Sequence, residues 1–454
     1  MPSTYITRTF SGAGNRKTWT MSAWIKRTQL ASSSDIRVFG WKSGGGNYGF
    51  QFDSNAFRFY LVSGGSNAEF LTNRKFRDCT GWYHIVAKCD TTQSTASDRF
   101  KLYVNGVQET SFATATYPNQ NEDTAVNQAE ICRLGCSTVA VNSHFDGLMS
   151  HVHFTDGYAY DASAFGSFDS VTGNWSINTG PNVNYGTNGF FLLKNDNALT
   201  DQSPNSNDFT LGAGTLSKTE DNPSNIFCTM NCLQFPLAGD APAFENGATR
   251  VRGNSNHWNR AYGSIGARSG KWWYELYIGT QDNSGRIGWD SIDRINNYNT
   301  ETYYSGLTIQ NNTGSVRGGR LGTSAYSPDA VQLPADGGGN ATFAQGDYLG
   351  MGIDLDNNTI TIYKNGSALA TNWSYNSYNS SCKANTYGHF VAPSVNWYSS
   401  SGHQNIYDFN FGNGKFGSSA ALTGTTYTDS AGRGVFKYQP PANYLAFCTK
   451  NLNE

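Results

Sequence analysis

Charge is scarce in this sequence. Asp, Glu, Lys and Arg make up only 15% of the 454 residues and nearly cancel, leaving a formal net charge of −2. Surfaces of helical cytosolic enzymes normally carry more Lys and Glu, and a chain without a basic excess has no electrostatic field to draw in nucleic acid or an anionic membrane. No apolar stretch is long enough to span a bilayer, and the opening from Met1 to Trp19 lacks the apolar core of a secretory signal. The expectation is a chain with no signal peptide and no membrane insertion, folded in a cytoplasm. Heptads and collagen repeats are missing, which excludes an obvious fibrous shaft. A sustained 3.6-residue period is missing as well, so helices are not the building material.

What the chain does have is glycine, 50 residues of it, and aromatics at 14%. That mixture suits short Tyr-, Phe-, Trp- and Thr-rich strands joined by Gly/Asn/Ser turns. Period-two alternation runs through Thr18 to Ile25, as in a half-buried strand, while Trp82 to Ala87 reads as a more deeply buried one. Phe100 to Val104 leads into Asn105-Gly106, and Thr359 to Lys364 leads into Asn365-Gly366. Asn-Gly is the strongest short signal for a type I′ hairpin, because both turn residues must take positive φ. The length suggests two to four domains. The class expected is all-β, with two concanavalin-like or jelly-roll sandwiches in tandem: residues 1–165, a connecting segment 166–235 containing one strand at Gly189 to Lys194, residues 236–415, and an irregular tail 416–454.

The eight cysteines include two C-x3-C pairs, Cys132/Cys136 and Cys228/Cys232. Neither has the second matching pair that a zinc site uses, so buried thiols are the reading. Ser43 to Gly46 and Asp336 to Gly339 are glycine-rich but lack a phosphate-loop pattern and read as loops. Asn-x-Ser/Thr sequons, as at Asn174, Asn340 and Asn357, record a polar surface.

Four pieces in order resemble a laminin-G-like, concanavalin-type module: Trp19 to Arg27, Gly81 to Asp90, Leu102 to Gly106, and Phe145 to Gly157. Further on, Gly263 to Ile278, Arg286 to Asp290, Gly346 to Gly366 and Phe409 to Gly412 resemble a SPRY domain. Thr200 to Thr210, Asp221 to Asn231 and the terminal Pro440 to Leu452 are similar to segments of marine-phage proteins in which such modules sit side by side. Those relatives often continue beyond the point where this chain ends. The resemblance implies a virion protein: a tail fibre, appendage or head-decorating protein that contacts host-surface glycans or other surface molecules. It implies other virion proteins as partners and a homo-oligomer, with a trimer the usual form for a fibre. A purely structural minor capsid or tail protein is the alternative.

The concanavalin-type sandwich also hosts glycoside hydrolases, whose paired carboxylates lie on one strand face. This sequence contains no Glu-x-Asp run, and Glu275 falls where the SPRY family carries a structural Glu. No enzyme activity, catalytic residue or cofactor is expected. Asp354 and Asp356 read as turn caps, with calcium as the sharper alternative. His151 and His153, two apart on a strand near Asp146 and Asp156, could share a face, but no third zinc ligand accompanies them, so they read as ordinary sheet residues. His84 reads as a hydrogen-bonded core histidine. Ligand recognition falls to loops: Asp290 to Tyr304, with Tyr298, Tyr303 and Tyr304, and a second stretch from Trp373 to Tyr378. Aromatic faces stack on sugar C–H surfaces while Asn and Asp bind hydroxyls. Packing within a sheet or against other subunits is the competing reading of these tyrosines.

Overall fold

The structure is a computed structural model that describes residues 4–28, 30, 34–62, 67–194, 198–233, 242–253, 258–281, 285–291, 307–310, 314–318, 331–333, 335–375, 390–398, 404–417 and 422–452. The chain is nearly all-β and forms two compact units, residues 1–217 and 218–454.

The first unit is a sandwich. One sheet has eight strands, in spatial order Phe112–Thr116, Glu69–Lys75, Ala56–Tyr60, Gly46–Asp53, Ser34–Ser43, Ile131–Leu134, Tyr5–Thr9 and Thr210–Ala213. The other has six: Phe190–Leu192, Gly147–Asp156, Thr18–Arg27, Tyr83–Asp90, Phe100–Val104 and Val107–Glu109. Alternation along Thr18–Arg27 sends Trp19, Met21, Ala23 and Ile25 into the core, where they meet Phe39, Trp41, Phe50, Phe57 and Phe59 of the facing sheet. Aromatic rings dominate the contact: Trp41 and Phe154 centroids lie 4.6 Å apart, Phe70 and Phe100 4.3 Å apart.

The opposite face of this strand is also buried. Thr20, Ser22, Trp24 and Lys26 are all closed off from solvent, so the expectation of a half-buried strand fails here. The cause is a strap, residues 158–189, that turns back over the six-stranded sheet. It carries a two-stranded ribbon, Gly166–Phe168 with Trp175–Ile177, and packs Ala162, Phe165, Trp175 and Val183 onto Val86 and Tyr103. The segment expected to connect two sandwiches is therefore divided. Phe190–Leu192 and Thr210–Ala213 are strands of the first unit's own sheets, and residues from 218 onward belong to the second unit.

The second unit repeats the plan. One sheet runs Ala243–Glu245, Arg250–Gly253, Asn405–Asn410, Lys271–Thr280, Tyr348–Asp354, Thr359–Lys364 and Ser367–Ser374, with Leu445–Ala446 joining Lys271–Thr280 in parallel. The other runs Trp258–Tyr262, Val391–Tyr398, Arg286–Ser291, Leu307–Gln310, Ser315–Gly318 and Val331–Gln332. Tyr274 packs inward on Trp289, while Trp273 on the outer face is covered by Phe436, Tyr444 and Ala446 of the C-terminal segment. Among the described residues no helix is long and apolar enough to cross a membrane.

Both Asn-Gly turns form as expected. Asn105 and Gly106 have φ of 47° and 78°, Asn365 and Gly366 of 52° and 84°. Each Asn side chain also accepts a backbone N–H from the neighbouring strand, that of His84 at 2.7 Å and that of Tyr348 at 2.8 Å.

Candidate functional site

In the first unit, where Gly147–Asp156 ends, three segments distant in sequence meet around an open groove of ≈ 450 Å³. Its lining is Ala13, Gly14 and Asn15 from the first turn, Asp156, Gly157 and Tyr158 from the strand end, and Gly186 and Thr187 from the strap. Asp156 forms the base. Its Oδ1 accepts the Asn15 N–H at 2.7 Å and the Asn127 Nδ2–H at 2.7 Å, and its Oδ2 accepts the Asn188 N–H at 3.0 Å. Three N–H donors thus converge on one buried carboxylate and fix its position.

Around this carboxylate the amide side chains interlock. Asn188 Nδ2 donates to Gly12 O at 2.9 Å and to Asn127 Oδ1 at 3.0 Å, fixing the first turn against the strap. A side chain at Gly14 or Gly186 would collide with Asp156, its Cβ falling 2.5 Å from Oδ2 and 2.0 Å from the carbonyl oxygen respectively. Only glycine leaves the walls this close. From behind, Asn205 Nδ2 donates to Gly186 O at 2.6 Å and Gly189 O at 2.9 Å, and Asn207 Nδ2 to Thr187 O at 2.9 Å and Gly189 O at 2.8 Å. Both asparagines come from the stretch Thr200 to Thr210, whose turn is organised by Asp201.

The rim is different in character. Asn15, Tyr158 and Thr187 are exposed. The Tyr158 ring stacks on Tyr160, centroids 6.0 Å apart, and its hydroxyl accepts the Asn184 Nδ2–H at 2.8 Å. A fixed aromatic face beside amide, hydroxyl and backbone groups is a surface that matches a sugar ring, whose C–H face stacks while its hydroxyls take hydrogen bonds.

Of the residues expected to bind ligand, Tyr298, Tyr303, Tyr304 and Tyr378 lie outside the described residues. Trp373 stands on the strand Ser367–Ser374, opposite Ile360 and half-buried, so it belongs to a sheet and not to a loop. The turn reading of Asp354 matches its geometry. The carboxylate accepts N–H groups of Asp356 at 3.1 Å and Asn357 at 2.9 Å, and pairs with Lys271 Nζ at 2.9 Å. Asp356 accepts the Gly270 N–H at 3.0 Å. Among the described residues no group of three or more His, Cys, Asp or Glu could hold a metal ion. His151 and His153 do not follow a regular strand. A register shift separates Ser150 from His153, His151 takes a φ of 46°, and the two rings lie 6.5 Å apart. Cys89, Cys132, Cys136, Cys228 and Cys448 are buried free thiols, whereas Cys79 and Cys232 are disulfide-bonded, which corrects the thiol reading for those two.

Glu275 is buried on the outer face of its sheet. It accepts the N–H groups of Lys437 at 2.9 Å and Tyr438 at 2.8 Å and the Asn410 Nδ2–H at 3.1 Å. Burial outweighs these donors and pushes its carboxyl up to about 7. Two of its three bonds go to the backbone of the C-terminal segment, a clasp and not an open acid.

Residues 3–164 match a family model, Laminin_G_3, of the concanavalin A-like lectin/glucanases superfamily. No curated protein matches the sequence. Solved structures similar to the chain include the SPRY domain of human HERC1, at 16% identity over 40% of this chain and 96% of that one, TM-score 0.29. A candidate carbohydrate-binding protein from Bacteroides ovatus is 12% identical over 47% of this chain and 57% of its own length, TM-score 0.30. A heptameric pentraxin from Limulus polyphemus is 13% identical over 35% and 72%, TM-score 0.26. The sandwich of the first unit is thus concanavalin A-like, and the groove lies on it, within and just beyond the matched residues.

Proposed function

We propose that the chain is a non-enzymatic recognition protein that binds surface glycans, and that the groove at Asp156 and Tyr158 takes the sugar. The observation that carries this reading is the exposed Tyr158 ring beside Asn15 and Thr187, over a base locked by Asp156, Asn127 and Asn188. The lectin-type fold of residues 3–164 supports it. Hydrolysis of a glycoside needs two carboxyl groups flanking the bond, and Asp156 is the one carboxylate in the groove lining, with its oxygens already bonded. The finer setting, a phage virion appendage carrying several copies and contacting other virion proteins, rests on the resemblance of Thr200 to Thr210, Asp221 to Asn231 and Pro440 to Leu452. Repeated copies would raise a weak single-site affinity without new contacts.

The test is binding of the purified chain to host cells and an array of bacterial surface glycans. Tyr158→Ala is expected to weaken binding by about twofold to twelvefold, the loss of one aromatic stacking contact of about 0.5–1.5 kcal/mol, in a chain that still unfolds cooperatively. A Tyr303→Ala/Tyr304→Ala double variant provides the contrast. Loss of binding only in the double variant would move the site to the second unit. Absence of binding by the unaltered chain, where a known adhesin scores positive, would favour the structural virion role.

A further inference from the structure

Beneath the strap, the outer face of the six-stranded sheet gathers three of the chain's seven histidines, His84, His151 and His153. His84 is fully buried, its ring stacked on Trp24 at 4.7 Å and edge to edge with the near-coplanar Trp175 ring at 5.9 Å. Both ring nitrogens are in use. Trp175 Nε1, which can only donate, gives its hydrogen to His84 Nδ1 at 2.9 Å, while Nε2 lies 2.8 Å from Ser22 Oγ. Nδ1 must therefore carry a lone pair and Nε2 the proton. His153 Nδ1 bonds the Tyr185 hydroxyl at 2.9 Å, and its ring stacks on Phe191 at 3.9 Å. His151 Nδ1 bonds Ser150 Oγ at 2.7 Å, and its Nε2 is buried without a partner. Trp175 and Tyr185 both belong to the strap, so the strap is fastened to the sheet through neutral imidazoles.

We infer that the strap is an acid-released cover: a second proton on His84 turns Nδ1 from acceptor into donor, expels Trp175, and frees the segment that supplies the Gly186–Thr187 wall of the groove. Its consequence for ligand rests on the glycan reading; the release itself does not. Burial, with His151 adding to it, holds His84 down to about 3, and burial with Lys194 holds His151 at about 4. Burial also keeps His153 well below its ordinary value. The other charged or titratable groups among the described residues of this face and of the strap are Lys26 from Thr18–Arg27, Lys88 and Asp90 from Tyr83–Asp90, Lys101 and Tyr103 from Phe100–Val104, Lys194 after Phe190–Leu192, and Tyr158, Tyr160, Asp161, Asp169 and Tyr185 from the strap. Asp161, bonded to Lys88 Nζ at 2.9 Å and to the Tyr103 hydroxyl at 2.6 Å, is the carboxylate that holds the strap independently of the histidines. The lysines only add positive charge to a protonated imidazole.

The sign follows from linkage. Histidines depressed in the closed state and normal in the open one favour opening as pH falls below about 6.5. For His84 alone the opening equilibrium shifts on the order of a hundredfold between pH 7.5 and 4.5. Hydrogen exchange of the full chain reads this directly and needs no ligand. After correction for intrinsic exchange chemistry, protection across 158–189 should fall by at least that factor, while the strands Ser34–Ser43 and Gly46–Asp53 keep theirs. His84→Gln should remove the roughly hundredfold share carried by His84 and leave that of His151 and His153, and the unaltered chain decides the question even where that variant does not fold. Equal strap protection at both pH values would overturn the inference, as would simultaneous loss of strap and eight-stranded sheet. Glycan binding measured in parallel fails or succeeds separately, so the two readings stay distinguishable.

Discussion

Replacing Glu275 by Gln tests how burial and hydrogen bonding compete at the clasp of the second unit. The carboxyl is 1% exposed, so no solvent screening discounts the effect. Gln presents one oxygen and one NH2 group where the three N–H donors of Lys437, Tyr438 and Asn410 now point. At least one donor then faces another donor, a loss of about 1–3 kcal/mol. The pH dependence is the sharper quantity. A carboxyl raised from 4.5 to about 7 in the folded protein contributes stability that is complete below pH 4.5 and lost as pH rises through 7. Converted at 1.36 kcal/mol per pH unit, the window is worth about 3 kcal/mol. Gln cannot titrate, so the stability gap between the two proteins should narrow by that amount between pH 4.5 and 7. Urea unfolding of both, at intervals of half a pH unit, measures the gap and cancels every other titrating group. A gap that widens with pH would refute the reasoning, because it would mean that the three donors outweigh burial and hold the carboxylate ionised.

Gly106→Ala should destabilise the first unit by about 2 kcal/mol in thermal unfolding, since φ is +78° and the new Cβ would fall 2.2 Å from the Trp175 ring. Millimolar calcium, or its removal by chelation, should leave the melting of the second unit unchanged, because the oxygens of Asp354 are engaged by Lys271, Asp356 and Asn357; an upward shift on adding calcium would overturn that assignment.

Local chemistry made much of the fold legible. Asn105-Gly106 and Asn365-Gly366 are forced turns, since few other dipeptides take positive φ twice, and strand alternation named Trp19, Met21 and Ile25 as a core face. What alternation could not show is the partner of the other face. The strap lies more than a hundred residues from Ser22 and Trp24 in sequence, so Thr18–Arg27 read as half-buried. The groove was hidden for the same reason, because residues 13–15, 156–158 and 186–187 meet only after the sandwich closes. One signal was present: Asp156-Gly157 at a strand end, followed by Tyr158 and Tyr160. Sequence proximity alone sets Asp156 only beside His151 and His153, with no role of its own. The regular strand assumed for His151 and His153 failed at the bulge, which period-two reading has no means of detecting.

The two units share more than a sandwich. In each, a later segment folds back over the outer face of one sheet and places an aromatic ring on the glycine of the Asn-Gly turn, Trp175 on Gly106 and Tyr438 on Gly366. In each, buried titratable side chains of the sheet bond that segment: His84 and His153 take Trp175 and Tyr185, and Glu275 takes Lys437 and Tyr438. The outer face must be covered because its strands are aromatic on both sides, and a polar fastener gives the cover a defined register that apolar contact alone would not. The chemistry of the two fasteners is opposite. Burial favours the neutral form of both, which for His84 is the form without its second proton and for Glu275 the form that keeps its proton. Acid therefore loosens the first cover while tightening the second, and both changes fall between about pH 4.5 and 7. A single pH titration followed segment by segment separates the two covers within one chain.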